Sequence, residues 1–160
     1  MSTSIDQYDR KILEIIQQNA LASVAEMGEA VGLSQSTCWR RVNLLEQAGV
    51  IKSRVAILDA KILGLEVIVF ANIKLSAHGR RSLNEFEEAI AVLPEVLECY
   101  TMSGEMDYLL RIVAKDISSY EKFLREKLLQ LPSVQEVHSH IALSEVKYTT
   151  TLPLPEIPRY

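Results

Sequence analysis

Apolar residues in the first fifty positions recur every three to four residues, which is the spacing of amphipathic helices. In residues 5–19 this pattern places Ile12, Leu13, Ile15 and Ile16 on one stripe. Asp6 precedes the stripe and is a suitable N-cap. The pattern predicts a first helix over residues 5–19.

Two shorter helices are predicted next, joined by a tight glycine turn. Ser23 and Glu26 have the spacing of a capping box, and Gly32 marks the end of that helix. Ser34 can cap the following helix, which runs to Gly49. A helix-turn-helix presents its second helix to the DNA major groove, so this stretch indicates gene control rather than catalysis.

The third predicted helix has two distinct faces when its residues are placed 100° apart. Cys38, Val42 and Leu45 share the face expected to be buried, and the opposite face is polar and cationic with no aliphatic side chain. Arginine can bind guanine bidentately, and glutamine or asparagine can bind adenine in the same way. The alternative is an ordinary surface helix with solvated charges. The residues predicted to contact DNA are Gln35, Ser36, Thr37, Arg40, Arg41 and Asn43.

A short segment links the helices to the rest of the chain. Residues 51–58 read as an extended strand, and residues 59–64 as a connector. Lys52 and Arg54 alternate on one face of the strand. They either contact phosphate or face water, and the pattern favours neither alternative.

The C-terminal part contains an internal repeat. Residues 93–96 (LPEV) and 131–134 (LPSV) each follow a helical pattern and precede a strand pattern, and Pro94 and Pro132 stop those helices. The resulting order is βαββαβ, a ferredoxin-like arrangement that leaves one sheet face to be covered. Face-to-face dimerisation would cover it. The predicted strands are 67–75, 96–102, 108–114 and 137–146.

These elements define an α+β fold with two domains. Residues 1–50 form an N-terminal winged helix-turn-helix domain of three helices, and residues 51–64 form the linker strand and connector. Residues 65–160 form the ferredoxin-like domain, which we expect to bind an effector and to mediate oligomerisation.

Charge is unevenly distributed along the chain. The net charge is -4, yet residues 1–62 hold seven basic and seven acidic residues. A nearly neutral DNA-binding domain needs several copies to bind well, which favours an oligomer. Cys38 and Cys99 are too few for a disulfide framework. With no signal-peptide pattern and no apolar run of ~18 residues, a cytoplasmic protein is expected.

Catalytic and metal-binding signatures are missing from the sequence. His138 and His140 share one face of a predicted strand, but neither they nor His78 have a clear third ligand nearby. There is no nucleophile elbow or phosphate loop. We therefore expect no enzyme activity, no metal and no cofactor.

Five motifs in order make the chain resemble the Lrp/AsnC, or feast/famine, transcriptional regulators. They cover nearly the whole length, and together they are highly specific. The motifs are DxxDxxIL (6–13), SxxTxxRR (34–41), LExxGVI (45–51), GxxDYLL (104–110) and KYTTTLPL (147–154).

The resemblance implies a homodimer that assembles further, to a tetramer or octamer, and binds promoter DNA. It also implies a small effector, often an amino acid, in a cleft between subunits of the C-terminal domain. The effector loop of the family corresponds to Gly104, Glu105, Met106 and Asp107, where glycine allows close backbone approach and Asp107 can pair with an α-ammonium group. Thr149, Thr150 and Thr151 would offer hydroxyls or backbone amides to the α-carboxylate from a neighbouring chain.

Three alternatives remain open. Residues 104–107 can instead form a tight hairpin turn with its acids in solvent. The chain as a whole can be an architectural, nucleoid-type DNA-binding protein without an effector. It can also be an amino-acid-sensing allosteric module, which would leave the polar face of residues 35–47 unexplained. Cys99, Tyr100 and Met102 precede the loop, and the strand register decides which of them line a pocket.

Overall fold

The computed structural model describes residues 5–76, 80–131 and 133–155, and these form two compact units. The first unit comprises residues up to Ile57 together with those from Lys147 onward, and the second spans Leu58–Val146. Among the described residues, 147–155 group with the helices.

Three helices form the first unit, and polar caps begin each of them. Asp6 caps the first helix in a reciprocal capping box with Asp9, and Ser23 and Glu26 form the second box. Ser34 caps the third helix by accepting from the Thr37 amide. The helices are α1 (Gln7–Gln18), α2 (Val24–Val31) and α3 (Gln35–Gln47).

The predicted faces of α3 are confirmed with one correction. Cys38, Val42 and Leu45 are buried against α1 and α2, as expected. Leu44, however, is 55% exposed, so an aliphatic side chain does lie close to the polar face. At 100° per residue it falls between Arg40 and Thr37. The helical pattern used for the prediction assigned Leu44 to neither face.

The second unit is a four-stranded antiparallel sheet with two helices, and its strands are β1 (Val67–Leu75), β2 (Val96–Thr101), β3 (Tyr108–Ala114) and β4 (Val134–Ile141). The strand order in the sheet is β2-β3-β1-β4. This is the ferredoxin-like βαββαβ arrangement predicted from the repeat. The ends of β1 and β3 are as predicted. The remaining elements of this unit are α4 (Arg80–Ala91), α5 (Ile117–Glu126) and a 3-10 turn (Leu128–Gln130).

Three strand predictions differ from the structure, and in the first of them β2 ends at Thr101 rather than at residue 102. The last strand was expected over 137–146 but spans Val134–Ile141, because its register with β1 runs from Leu75–Val134 to Val69–Ile141. Residues 51–58 form no strand, since within the described residues the Ile51 amide donates only to the Leu45 carbonyl of α3 and no neighbouring strand pairs with the segment. An extended segment becomes a strand only when a neighbouring backbone shares its hydrogen bonds.

The sheet buries one face and leaves the other open. Side chains alternate along β1, so Val69, Ala71 and Ile73 are buried under α4 and α5 while Phe70 points to the other face. Phe86 of α4 packs on Tyr108 of β3, with 4.7 Å between ring centroids. Of the described helices, none is both long and apolar enough to cross a bilayer. Two residues discussed above, His78 and Pro132, lie outside the described residues.

Candidate DNA-binding and effector-binding sites

The N-terminal half of α3 carries an exposed polar surface. Gln35, Ser36 and Arg40 are exposed, whereas Thr37 and Asn43 are half-buried. Ser34 fastens the start of the helix, because its hydroxyl donates to the Thr37 hydroxyl at 2.8 Å.

An open groove of about 360 Å³ borders this surface. It is lined by Val24, Gln35, Ser36 and Trp39. Trp39 is 59% exposed, in agreement with its position 60° from Ser36 at the flank of the polar face. The first turns of α3 thus present hydrogen-bonding groups and an indole beside one groove.

Arg41 differs from the other predicted DNA contacts, because acids of α1 hold it. Its Nη1 donates to Asp6 Oδ2 at 2.7 Å and to Asp9 Oδ1 at 2.8 Å. The guanidinium also lies 5.4 Å from the ring centroid of Tyr8. The sequence pattern identified Asp6 only as the N-cap of α1. The role of Asp6 and Asp9 as ion-pair partners of α3 required the tertiary structure.

The ion pairs shift the ionisation of both partners. Burial acts to raise the pKa of Asp6, but hydrogen bonds from the Asp9 amide, Arg41 and the Tyr8 amide outweigh it and lower that pKa. The hydrogen bond to Asp9 raises the pKa of Arg41. The cluster therefore favours the charged forms of Asp6 and Arg41.

The basic residues after α3 are also placed by the structure. Arg54 donates to Glu46 Oε1 at 2.9 Å and to the Ala20 carbonyl at 3.4 Å. Lys52 is exposed. The sequence left two alternatives for Lys52 and Arg54, contact with phosphate or exposure to water. Arg54 has a third role, because it ties the segment after α3 back to the helices.

The loop between β2 and β3 contains the predicted effector residues Gly104, Glu105, Met106 and Asp107. Gly104 has a φ of +133°, a conformation that side-chain-bearing residues rarely adopt. Glu105 is exposed and Met106 is half-buried.

Asp107 fastens this loop to β1. Its carboxylate accepts from the Leu75 amide at 2.7 Å, and its own amide donates to the Ile73 carbonyl at 2.8 Å. The Asp107 carbonyl accepts from the Met102 amide at 2.8 Å, which closes the loop. The alternative of a hairpin turn with both acids in solvent is therefore wrong for Asp107, whose carboxylate is hydrogen-bonded to the Leu75 amide. It holds for Glu105, which is exposed.

The three predicted threonines belong to the other unit. Thr149, Thr150 and Thr151 are exposed in an extended segment that docks on α1. The Leu152 amide donates to the Gln17 side chain at 2.6 Å, and Leu154 packs against the helical core.

The register of β2 separates the residues that precede the loop. Cys99 pairs with buried Leu110 on the helix-covered side, whereas Tyr100 pairs with Leu109 on the open face. Cys99 is exposed, yet partial desolvation and then the nearby Glu87 raise the pKa of its thiol. Tyr100 therefore belongs to the open face and Cys99 does not. Met102 lies beyond the end of the strand.

The open face of the sheet combines apolar and charged groups. Phe70 is 38% exposed there. Arg111 donates to Glu98 at 2.7 Å, and the Tyr100 hydroxyl donates to the same carboxylate at 3.0 Å. The arrangement is a set of half-exposed side chains without a covering layer among the described residues.

No group of three or more His, Cys, Asp or Glu in the described part of the chain has the geometry of a metal site. His138 lies 3.4 Å from Glu136 on β4, and both side chains are about half exposed.

Two family models match the chain. Residues 5–52 match a winged helix-turn-helix DNA-binding domain, and residues 68–152 match the Lrp/AsnC ligand binding domain. The chain belongs to the Lrp/AsnC family. The first match contains α1 to α3, and the second contains the whole sheet and the loop at Gly104. This Lrp/AsnC protein is therefore a ligand-responsive transcriptional regulator with a DNA-binding and a ligand-binding part.

Characterised relatives have similar length and organisation. The glutamate uptake regulatory protein of Zymomonas mobilis is 40% identical over 98% of this chain and 94% of its own. The transcriptional regulator AzlB of Bacillus subtilis is 40% identical, over 98% and 100%.

Solved structures of the family match the fold. An AsnC family regulator from Agrobacterium tumefaciens is 42% identical, covers 92% of this chain and 96% of its own, and gives a TM-score of 0.87. A transcriptional regulator from Neisseria meningitidis, solved as a complex with L-Met, is 33% identical, covers 94% and 97%, and gives a TM-score of 0.89.

Proposed function

We propose that this regulator contacts operator DNA through the exposed side of α3 and that an amino acid bound in the sheet domain modulates this binding. The exposed Gln35, Ser36 and Arg40 on a capped, well-packed helix carry the DNA proposal. Thr37 and Asn43 lie beside them, half-buried, where they support the same surface. The match to a helix-turn-helix model over α1 to α3 supports the choice of α3 as the recognition helix.

The proposed regulator acts as a homodimer that assembles further. Phe70 and Tyr100 are exposed on a sheet face that no described residue covers, next to the Arg111–Glu98 ion pair. A second copy would cover this face with the same surface, as a two-fold interface requires. A dimer would then place two α3 helices in successive major grooves, about 34 Å apart.

The proposed effector is an amino acid held by residues 104–107. Gly104 allows close approach of a ligand to the backbone, and Asp107 supplies negative charge beside it. Thr149, Thr150 and Thr151 of a neighbouring chain would meet the carboxylate, which agrees with their exposure. The L-Met complex of the Neisseria meningitidis relative supports an amino acid as the class of ligand.

For such a ligand to regulate transcription, it must bind two states of the protein unequally. Because the sites belong to a proposed interface between copies, the two states would differ in assembly or in the spacing of the two α3 helices. An architectural DNA-binding protein without an effector is the second candidate. The match of residues 68–152 to a ligand binding domain favours the regulated form.

The DNA contact is tested with Arg40→Ala in the full-length protein. We expect affinity for a duplex selected by the wild-type protein to fall by roughly 10-fold or more, since one base contact contributes about 1–3 kcal/mol. Fluorescence anisotropy at fixed salt measures this. Lys122→Ala, a change at an exposed residue of α5, is the control. Equal affinity of Arg40→Ala and wild type would remove Arg40 from the site.

The effector is tested by thermal unfolding against each of the twenty amino acids. A ligand at about a hundred times its dissociation constant adds ~2.7 kcal/mol, which raises the melting temperature by on the order of 10 °C for a domain of this size. Asp107→Asn should abolish that rise, because asparagine can still accept from the Leu75 amide but has lost the charge.

Glu88→Gln, which removes an exposed acid from α4, is the matched control and should retain the full rise. A rise that persists in Asp107→Asn would place the ligand elsewhere. If none of the twenty amino acids raises the melting temperature of the wild-type protein, the result would favour the architectural alternative.

A further inference from the structure

Two acids at the start of α1 each use their two carboxylate oxygens for different purposes. Asp6 Oδ1 accepts from the Tyr8 and Asp9 amides, at 2.8 and 2.9 Å, and thereby caps α1. Asp9 Oδ2 accepts from the Asp6 amide at 3.1 Å, which completes the capping box. The remaining oxygen of each acid accepts from Nη1 of Arg41. One polar network thus begins α1 and holds α3.

Arg41 is poorly placed for DNA by comparison with Arg40. Placed at 100° per residue, Arg41 lies about 140° from Ser36 around α3, whereas Arg40 lies about 40° from it. The Arg41 side chain is 25% exposed, and its Nε is buried without a hydrogen-bond partner among the described residues. Tyr8 lies against the guanidinium on the α1 side. Withdrawing this group toward a phosphate would leave Asp9, only 9% exposed, without its counter-charge.

We propose that Arg41, clamped by Asp6 and Asp9, is a positioning residue that fixes the orientation of α3 for DNA reading and does not itself contact DNA. This inference rests on the proposed role of α3 as the recognition helix. Cys38, Val42 and Leu45 hold α3 by apolar contacts, which have little directionality and allow a helix to slide or roll. The directional hydrogen bonds of Arg41 to Asp6 and Asp9, here called the clamp, restrict these movements.

The salt dependence of DNA binding separates positioning from phosphate contact. Arg41→Met, which keeps an unbranched stem but removes the guanidinium, should weaken binding to the selected duplex by about tenfold, as the loss of one well-placed base contact would. Its slope of log affinity against log salt should equal that of the wild type. The matched variant Arg40→Met removes the proposed base contact and should also weaken binding to the selected duplex by about tenfold. Loss of a phosphate contact would instead make the slope less steep by about 0.9.

Sequence discrimination provides the second readout. Loss of a phosphate contact weakens binding to every duplex alike, and partial unfolding does the same. A misoriented recognition helix instead weakens binding to the selected duplex more than binding to a scrambled one. Arg41→Met should therefore lower the ratio of the two affinities. Circular dichroism confirms that each variant is folded under the conditions used.

Asp9→Asn tests the clamp without changing α3. Removing an acid near DNA would strengthen binding if only long-range charge mattered. A positioning role predicts that Asp9→Asn weakens binding to the selected duplex, and that its effect and that of Arg41→Met are not additive.

Three results would overturn the proposal: an Arg41→Met slope reduced by about 0.9, an unchanged affinity ratio for the two duplexes, or stronger binding by Asp9→Asn. Failure of the recognition-helix assignment would look different, because Arg40→Met would then alter neither affinity nor slope.

Discussion

At the scale of single residues, the environment of a side chain decides its role more than its chemical type. Arg40 and Arg41 are adjacent and identical in type, yet the first is exposed and the second is held by two carboxylates. The same applies to Glu105 and Asp107 in one loop, of which only Asp107 caps a backbone amide of β1. All four were predicted from the sequence as DNA-binding or effector-binding residues. Their burial and their hydrogen-bond partners in the structure distinguish their roles.

Asp6 should make the helical unit sensitive to acid. Because its folded pKa lies below its usual 3.8, its carboxylate stabilises the fold at higher pH, and this contribution is lost as the pH falls through the folded pKa. Asp6→Asn keeps a good N-cap but removes the charge that pairs with Arg41. We expect the variant to be less stable than the wild type at pH 6, and the difference to shrink towards pH 3.

Urea unfolding followed by the fluorescence of Trp39 measures this, since Trp39 is the only tryptophan and lies on α3. Glu29→Gln, at an exposed acid of α2, is the control and should show no such trend. A difference between Asp6→Asn and wild type that is constant with pH would contradict the assignment.

At the scale of elements, the turn between α2 and α3 fixes α3 at its N-terminal end. Gly32 closes α2 with a φ of +73°, and the Leu33 amide donates to the Gly28 carbonyl at 2.8 Å. Gly28 is itself a packing position, where an added Cβ would lie 2.9 Å from the Leu33 carbonyl oxygen and 3.6 Å from Cys38 Cβ. The two helices approach closely because Gly28 has no side chain.

Gly28→Ala should therefore destabilise the helical unit. Alanine gains about 1 kcal/mol of helix propensity over glycine, but overpacking against a fixed backbone atom costs about 1–3 kcal/mol, so the net effect is a loss. Urea unfolding by Trp39 fluorescence gives the magnitude. The control is Glu29→Ala, at the exposed neighbouring position, which we expect to be neutral or slightly stabilising. A more stable Gly28→Ala protein would show that the turn can relax.

At the scale of the whole molecule, each unit has its own apolar core. The described surface nevertheless retains large exposed apolar side chains at many positions, among which two groups bear on assembly. One is the extended segment after α3, with Val55, Ile57 and Leu58, and the other is the open sheet face with Phe70 and Tyr100. Exposed apolar patches of this kind mark interaction surfaces.

Phe70→Glu should reduce the oligomeric state, because it places a charge in the proposed interface between sheet faces. Light scattering after size exclusion gives the molar mass. Val92→Glu is the matched control, since Val92 is an exposed apolar residue that follows α4 on the helix side. An unchanged mass for Phe70→Glu would place the interface elsewhere.

Most helices and strands, their order βαββαβ in the second unit, and the family can be predicted from the sequence alone. Caps such as Ser23 and Ser34, the glycine at position 32 and the alternation in β1 and β3 act over a few residues, so their signals lie in adjacent positions.

Tertiary structure decided what depends on distant partners. It ended β4 at Ile141, because pairing with β1 sets its length, and it left 51–58 without a strand, because no described strand pairs with it. It joined Arg41 to Asp6 and Asp9 across about thirty residues of sequence. Ion pairs between helices depend on how the helices pack, and the periodicity of one helix carries no information about which residues of another helix it will meet.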